Sequence, residues 1–588
     1  MASRSEDPEI IESGGRERNT GKNDGFGRLL IKFLAIYWRS FIVILWPLIL
    51  IPILILESEK PVAMKCLYII ALMAMFWVTE VLPLPITGMI PVVLYPLMGI
   101  MSTNETCLCY MNDTTMMFLG SLVIAVVIEN SGLHMRMALL IIRIIGCSHR
   151  RLTLGLFFVT MFISMWISNT AATAMMIPIM ETVLIELESQ GLGNMFVQKE
   201  GVAEEEGRET KRPTHSTMVY YLVAAYASTL GGTGTIVGSG TNLTLKGFLE
   251  KRFPNSPGIN FASWMLYSVP PMLLMGLLTW LWLQVMYMGL FRPESKDARA
   301  IDIGQQGERI AAGVIEKRYK ELGPISWHEF SVGVLFIFVV LLWFFRSPGF
   351  MPGWAAYVTN LSVKDSTAAV CVTILFFIIP SKLDFLYAFS KDPRKRPTKA
   401  SLGLITWKMI NEKMHWSLIF VLGGGFAISA GSTSSGLSEM LGHYLIGLQK
   451  INVVAIMLIV CFFAENVTEL TANVAVANII LPVLAEMYKL VSKNYISIFF
   501  SFFFQCVAIK IHPLYLMLPA TLCCSFSFHL PVGTPPNAIA SAAGHIKTKD
   551  FMIAGIGPSI ITLVVTVIAF STWGKYVFNL SDFSEWAT

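Results

Sequence analysis

The stretch SNTAATAMMIPIM (168–180) returns 304 positions later as ANVAVANIILPVLA (472–485), so that Asn169 and Asn473, and again Pro178 and Pro482, keep one spacing. A polar triplet running into an apolar tail with a proline, twice over, marks the chain as duplicated. More of it obeys the offset. LGSLVIAVVIENSGL (119–133) matches LGGGFAISAGSTSSGL (422–437), and GSGTN (238–242) matches GTPPN (533–537) at a spacing of 295. Each copy therefore holds a Gly-rich helix, a hairpin with a central Asn, and a helix broken at a Gly/Pro/Thr/Asn stretch. Breaks at membrane depth are tolerated only where the freed backbone groups are buried in protein or face a wet cavity.

Composition places those breaks in a membrane. Hydrophobic residues make up 54% of the 588 and charged residues 14%, against roughly a quarter charged in soluble proteins. The chain is a polytopic membrane protein. Apolar stretches near 41–56, 64–79, 84–101, 116–128, 263–290, 330–345, 366–380, 416–430 and 552–574 approach the length that crosses a ~30 Å hydrocarbon core. The first forty residues are polar and basic, without the apolar core of a cleaved signal peptide, which keeps the N-terminus cytosolic. Nine cysteines are scattered through the chain, with no metal-site spacing and no disulfide framework.

Charge distribution sets the topology. Lys and Arg crowd residues 1–39, 134–151, 199–212, 292–320 and 382–413, and 102–115 carries none. The positive-inside rule makes the basic loops cytosolic. Because basic loops flank 152–182 on both sides, that stretch enters and leaves from the cytosol as a re-entrant hairpin with Ser168-Asn169-Thr170 at its tip. Continuing the alternation puts 433–451 outside, so a second hairpin (452–487) enters from the opposite face. The repeats are inverted.

Unpaired carbonyls with Ser, Thr and Asn oxygens can replace the hydration shell of a small hard cation, and half-helix N-termini attract carboxylates. No Lys or Arg lies in the four broken segments, so an anion there is held by hydroxyls, amides, helix dipoles and co-bound cations. Taken alone, a Ser-Asn-Thr patch also packs helices together. Two copies at matched breaks favour transport. An intramembrane enzyme would need paired carboxylates, a Ser/His pair or a metal cluster at membrane depth, and the sequence offers none.

SMWISNTAATAMMIPI (164–179), GGTGTIVGSGTNL (231–243), LGGGFA (422–427), CSFSFHLPVGTPPNAI (524–539) and SDFSEWA (581–587) resemble the divalent-anion:sodium symporter family, the sodium/di- and tricarboxylate cotransporters, and in particular its insect citrate and dicarboxylate carriers. The resemblance covers almost the whole chain. It implies an all-α polytopic fold of about eleven transmembrane helices plus two re-entrant hairpins in two inverted repeats, with scaffold and transport domains, an elevator motion and a homodimer. It implies plasma-membrane symport or exchange of succinate, malate, fumarate or citrate, with sulfate as the alternative substrate. Sodium ions are the only coupling metal implied, with no further cofactor and no nucleic acid; partners are the small anion and membrane lipid. Insect relatives also work without sodium.

Carried over residue by residue, the resemblance implies a first cation site at Ser164, Ser168, Asn169 and Gly238, and a second at Thr468, Asn473 and Gly533 with carbonyls near Ala472. It implies substrate contacts from Ser168, Asn169, Thr170, Ser239, Asn473, Val474, Thr534 and Pro535. Ala472 departs from the family pattern, which has Ser there. The expected organisation is a cytosolic tail (1–39), a first half (40–247), connecting helices and cytosolic loops (248–414), a second half (415–578) and an extracellular C-terminal tail (579–588).

Glu80, Glu129, Glu465 and Glu469 lie in or beside apolar segments, where an ionisable residue points to function. Pairing at helix ends accounts for all but Glu469, which adjoins Thr468. His512 and His529 read as structural. Sequons stand at Asn104, Asn112, Asn242, Asn360, Asn466 and Asn579; an extracellular C-terminus makes Asn579 the expected glycosylation site. Residues 491–505, VSKNYISIFFSFFFQ, have no counterpart in the first copy. Their codons can be written as a splice donor followed by a pyrimidine tract, so they read as a short intron translated in frame.

Overall fold

The computed structural model describes residues 26–55, 60–191 except 147, 195–197, 212–253, 256, 258–300, 304–348, 351–437 except 391, 393 and 395, 440, 453–492, 512–578 and 580. Most of the expected N-terminal tail, the basic loop at 199–211, residues 493–505 of the intron-like segment, Asn579 and nearly all of the C-terminal tail lie outside the described residues.

Two compact units make up the chain, Met1–Ile49 and Leu50–Thr588. The first contains α1 (Phe26–Ile49). This helix begins inside the stretch expected as tail, so residues 26–39 are helical.

The second unit is nearly all helix. It begins with α2 (Ile51–Ile55), α3 (Pro61–Thr79), α4 (Leu84–Gly88), α5 (Ile90–Met98), α6 (Thr103–Leu108), α7 (Asp113–Ser131) and α8 (Leu133–Ile145). Then come α9 (His149–Ser164), α10 (Asn169–Ser189), α11 (Met218–Gly231), α12 (Gly240–Arg252) and α13 (Phe261–Tyr287). Next are α14 (Lys296–Ala300), α15 (Gly304–Glu321), α16 (Trp327–Phe344), α17 (Trp354–Val358), α18 (Asp365–Ile378), α19 (Trp407–Lys413) and α20 (Ser417–Ser434). The last are α21 (Val453–Thr468), α22 (Asn473–Ser492), α23 (Leu514–Cys523), α24 (Pro535–Ala543) and α25 (Thr548–Ala569). Among the described residues the strands are β1 (Phe196–Val197) and β2 (Arg212–Pro213), paired antiparallel between α10 and α11.

Side chains mark the helix starts. Asn112, Ser148, Ser168 and Asn260 accept hydrogen bonds from the first-turn amides of α7, α9, α10 and α13, and Ser326 forms a capping box with Glu329 at α16, satisfying donors the helix cannot. Gly132 ends α7 at φ 74°, a conformation that costs glycine nothing. Among the described residues seven helical segments are long and apolar enough to span a membrane, among them α3, α13, α16 and α20. The shorter apolar helices include α11, α21 and α23. These short pieces are hairpin arms and broken halves, which explains why they fall below a full crossing.

Within the second unit α9 and α10 lie on α11, α13 lies on α25, and α21 lies on α23. Gly231 lets α11 approach α9 so closely that a Cβ there would sit 2.2 Å from Met161 O. Trp264 of α13 donates its indole N–H to Thr233 O at 3.0 Å, tying that helix to the break after α11. Elsewhere in the unit α7 lies on α16 and α18, and α20 lies on α4, on α12 and on the hairpin arm α22. Buried Lys246 of α12 pairs with Glu250 at 2.8 Å and with Asp365 of α18 at 3.3 Å.

Candidate functional site

Both hairpins break where their tips were expected. Met165–Ser168 separates α9 from α10, and Glu469–Ala472 separates α21 from α22. The arms are longer than 152–182 and 452–487, because Ser148 starts α9 early and the second arms run on to Ser189 and Ser492.

Each tip holds the same three oxygens. Ser164 Oγ lies 2.8 Å from Asn169 Oδ1 and 2.7 Å from Ser228 O. Thr468 Oγ1 lies 2.9 Å from Asn473 Oδ1 and 2.7 Å from Cys524 O. A hydroxyl has a single hydrogen to donate, so one proton serves two acceptors in each cluster and lone pairs are left over. Such a neutral, oxygen-rich cluster fits a hard cation. Among the described residues no basic side chain hydrogen-bonds to these oxygens.

The broken helices repeat one device as well. Asn242 Nδ2 donates to Gly232 O at 2.9 Å and Thr235 O at 2.8 Å. Asn537 Nδ2 donates to Ser527 O at 3.0 Å and Leu530 O at 3.1 Å. All three pairs of positions are 295 apart, so each amide satisfies equivalent carbonyls freed by the break, as low-dielectric surroundings demand. Asn242 is thereby buried, which closes that sequon to glycosylation. Asn104 and Asn360 are exposed.

Glycine is required at both breaks. A Cβ on Gly238 would sit 2.6 Å from Gly232 O and 3.0 Å from Met165 O; on Gly533 it would sit 2.1 Å from Ser527 Oγ and 3.0 Å from Glu469 Oε2.

The two copies meet. Ser239 Oγ lies 2.8 Å from Thr241 Oγ1, which lies 2.5 Å from Ser525 Oγ, and Asn473 Nδ2 reaches Ser525 O at 3.4 Å. A Cβ on Gly240 would sit 2.7 Å from Val474 Cγ2. The hairpin arm α22 packs on α12, and α10 packs on α24, so each hairpin embraces the broken helix of the other copy. Ser168, Asn169, Thr170, Ser239, Ala472, Asn473 and Val474 are partly exposed and Pro535 is exposed. Thr534 is buried, and its hydroxyl has no hydrogen-bond partner among the described residues. Thr170 and Pro535 stand in the first turns of α10 and α24 and, among the described residues, make no polar tie to the rest of the cluster. The N-termini of α10, α12, α22 and α24 supply partial positive charge for an anion. Pro535 and Pro536 remove two of the amide donors that α12 keeps.

Four contributors escaped the sequence reading. The carbonyls of Ser228 and Cys524 carry no side-chain signal, though their positions are 296 apart and lie close to the duplicated spacing. Thr241 and Ser525 are polar positions in the quoted motifs that the resemblance leaves unassigned. Glu469 gains a concrete environment: its carboxylate accepts from Ser527 Oγ at 2.8 Å and from the backbone N–H groups of Phe528, His529 and Leu530 at 2.5, 2.9 and 3.1 Å.

Glu129 pairs with Lys413 at 2.9 Å, as helix-end pairing predicts, and Glu80 is an exposed helix C-cap. Glu465 differs. It is buried, accepts from Thr562 Oγ1 at 3.2 Å and leaves Oε2 without a hydrogen bond, because α25 covers the face expected at an interface. His512 accepts from Leu514 N at 3.2 Å, a structural use.

Paired helical hairpins packed on paired broken helices, with oxygen clusters at the breaks, define a membrane carrier of the secondary-transporter class. Residues 34–580 match the profile of the sodium:sulfate symporter transmembrane region. The chain belongs to that family. It is 45% identical over 562 residues to the "Protein I'm not dead yet" of Drosophila melanogaster, covering 94% of this chain and 92% of that one. It is 38% identical to the Na(+)/citrate cotransporter of Rattus norvegicus, over 94% of this chain and 97% of that one. Human solute carrier family 13 member 2 is likewise 38% identical, over 94% and 95%.

Proposed function

We propose that this chain is a plasma-membrane secondary transporter of di- and tricarboxylates such as succinate, malate, fumarate and citrate, working by cation-coupled symport or cation-independent exchange. The observation that carries the reading is the pair of matched oxygen clusters, Ser164/Asn169/Ser228 O and Thr468/Asn473/Cys524 O, at hairpin tips lacking any basic side chain. The names of its relatives, a citrate and a dicarboxylate cotransporter, support the substrate class.

In this reading Ser164, Ser168, Asn169 and Gly238 form one sodium site, and Thr468, Asn473, Gly533 and the carbonyls near Ala472 form the other. Ser168, Asn169, Thr170, Ser239, Asn473, Val474, Thr534 and Pro535 surround the substrate, whose carboxylates face four helix N-termini. In the symport mode, bound cations offset the charge of the anion at the neutral site. About eleven spans, inverted repeats, a homodimer, a cytosolic N-terminus, an extracellular C-terminus and an elevator displacement of the hairpin-bearing helices belong to the same proposal. So do the divisions 1–39, 40–247, 248–414, 415–578 and 579–588.

Uptake of labelled citrate, succinate and sulfate into cells expressing the carrier, each with and without sodium, tests the substrate and the coupling together. Citrate or succinate should accumulate and should compete with each other. Accumulation of sulfate alone would overturn the carboxylate assignment in favour of the sulfate reading that the family's description favours.

A further inference from the structure

The segment between α18 and α19 is closed at its base and carries aromatic side chains outward. Ser381 N and Oγ both donate to Leu402 O, at 2.8 and 2.9 Å, and Leu404 N donates to Ile379 O at 3.0 Å. Trp327 at the start of α16 donates to Pro380 O at 3.0 Å. From this base projects a 3-10 turn, Asp384–Tyr387. Phe385, Leu386 and Tyr387 are more than half exposed and Phe389 is 97% exposed. Exposed Trp407 and Leu402 flank them.

Beside the aromatics runs a basic stretch. Residues 381–400 contain six Lys and Arg and two Asp. Both acids are engaged within the segment, Asp384 accepting from Ser401 Oγ at 3.2 Å and Asp392 from Arg394 N at 3.0 Å. Arg396 Nε donates to Ser390 O at 2.8 Å, which holds that guanidinium against the turn. Lys382, Arg394, Arg396 and Lys399 are exposed.

With 14 residues, α18 spans only about 21 Å, short of a ~30 Å hydrocarbon core, so a crossing made by α18 leaves the residues after Ile378 to traverse the near headgroup boundary. Aromatic rings favour that boundary. A basic run next to it meets the anionic lipids of the cytoplasmic leaflet, and this same basic run is what places the segment on the cytosolic side.

We propose that the turn at 384–389 with Lys382, Arg394, Arg396 and Lys399 forms a binding site for anionic lipid headgroups of the inner leaflet. Phe385 and Phe389 enter the interface between headgroups and acyl chains, while Arg394, Arg396 and Lys399 engage lipid phosphates. The seat holds α16 and α18 at a fixed depth. It lies apart from the broken helices, and lipid retention is read without substrate, so it stands or falls separately from the transport reading.

Full-length carrier purified in mild detergent is mixed with equal amounts of dioleoyl phosphatidylinositol 4,5-bisphosphate, phosphatidylserine and phosphatidylcholine, and bound lipid is counted by native mass spectrometry. Wild type should retain the anionic lipids over phosphatidylcholine. The variant Arg394→Gln/Arg396→Gln/Lys399→Gln should bind them at least about tenfold more weakly, since each cation near the surface contributes about fivefold. Phe385→Ser/Phe389→Ser should also lose them while keeping the wild-type elution volume. Wild-type lipid retention by either variant overturns the site. Equal competition by soluble inositol trisphosphate would make the ligand a free phosphate, and a changed oligomeric state of the aromatic variant would give this face to a second copy of the chain; either result overturns the lipid assignment.

Discussion

The two hairpin tips share their oxygen clusters and differ in how they are tied to the broken helix beside them. In the first copy the tie comes from the broken helix: Thr235 Oγ1 donates to Met165 O at the hairpin turn and accepts from Gly238 N at 3.1 Å. In the second copy the equivalent of Thr235 is Leu530, which has no hydroxyl. There the hairpin supplies the tie through Glu469, the equivalent of Met165, whose carboxylate sits among three backbone N–H groups and Ser527 Oγ. Duplication preserved the oxygen clusters and let the fastening diverge. The fastening only has to satisfy a buried break, which more than one side chain can do; on the proposed reading the oxygen cluster has to fit an ion.

If the clusters are the shared function, breaking either should have the largest effect. Asn169→Ala and Asn473→Ala should each abolish uptake while the protein still reaches the cell surface, measured as labelled citrate accumulation beside surface biotinylation. Near-normal uptake by one variant would make that copy dispensable and end the symmetric site.

The glycines sharpen the comparison by one step. On Gly238 an added methyl meets the backbone oxygens of Gly232 and Met165; on Gly533 its nearest neighbour is the Ser527 hydroxyl, at the end of a side chain that can rotate. Gly238→Ala should therefore depress uptake more deeply than Gly533→Ala. Equal losses would mean that Ser527 is held as rigidly as backbone by its bond to Glu469.

The ties themselves should be read in stability. Glu469→Gln keeps the shape but turns a charge-assisted acceptor into an amide that faces donors with donors, a loss of about 2–3 kcal/mol. Thr235→Val removes a neutral bond contributing about 1 kcal/mol. Thermal unfolding of the purified carrier should show the larger drop in midpoint for Glu469→Gln. The opposite order would place the dominant fastening in the first copy.

Much of this site was legible because a duplicated sequence carries its own internal comparison. The spacing of 304 located both tips, and the spacing of 295 located both broken helices, before any contact was known. Half of what stayed hidden was backbone. Ser228 O and Cys524 O complete the clusters through main-chain atoms, so side-chain identity gives no sign of them. Glu465 was misjudged because its partner Thr562 is 97 residues away, and only packing brings α25 across it. Glu469 stood out as an acid beside Thr468, but its role depends on a nest of amides that forms once residues 527–530 leave helical geometry.

Ala472 is the smallest difference between the copies and separates two physical effects. Ser168 caps α10, its hydroxyl accepting from Ala171 N at 3.3 Å; Ala472, at the matching position before α22, has no hydroxyl to do so. Ala472→Ser should restore a cap contributing about 0.5–2 kcal/mol, read as a higher unfolding midpoint. If the same hydroxyl also faces the solute, it adds a charge-assisted hydrogen bond of about 1.5–3 kcal/mol before desolvation, and the half-saturation concentration for citrate should fall. The cap uses the hydroxyl as an acceptor and a carboxylate needs it as a donor, so both gains are available to one side chain. A raised midpoint with unchanged half-saturation would confine position 472 to capping and leave substrate binding in the second copy to Asn473 and its neighbours.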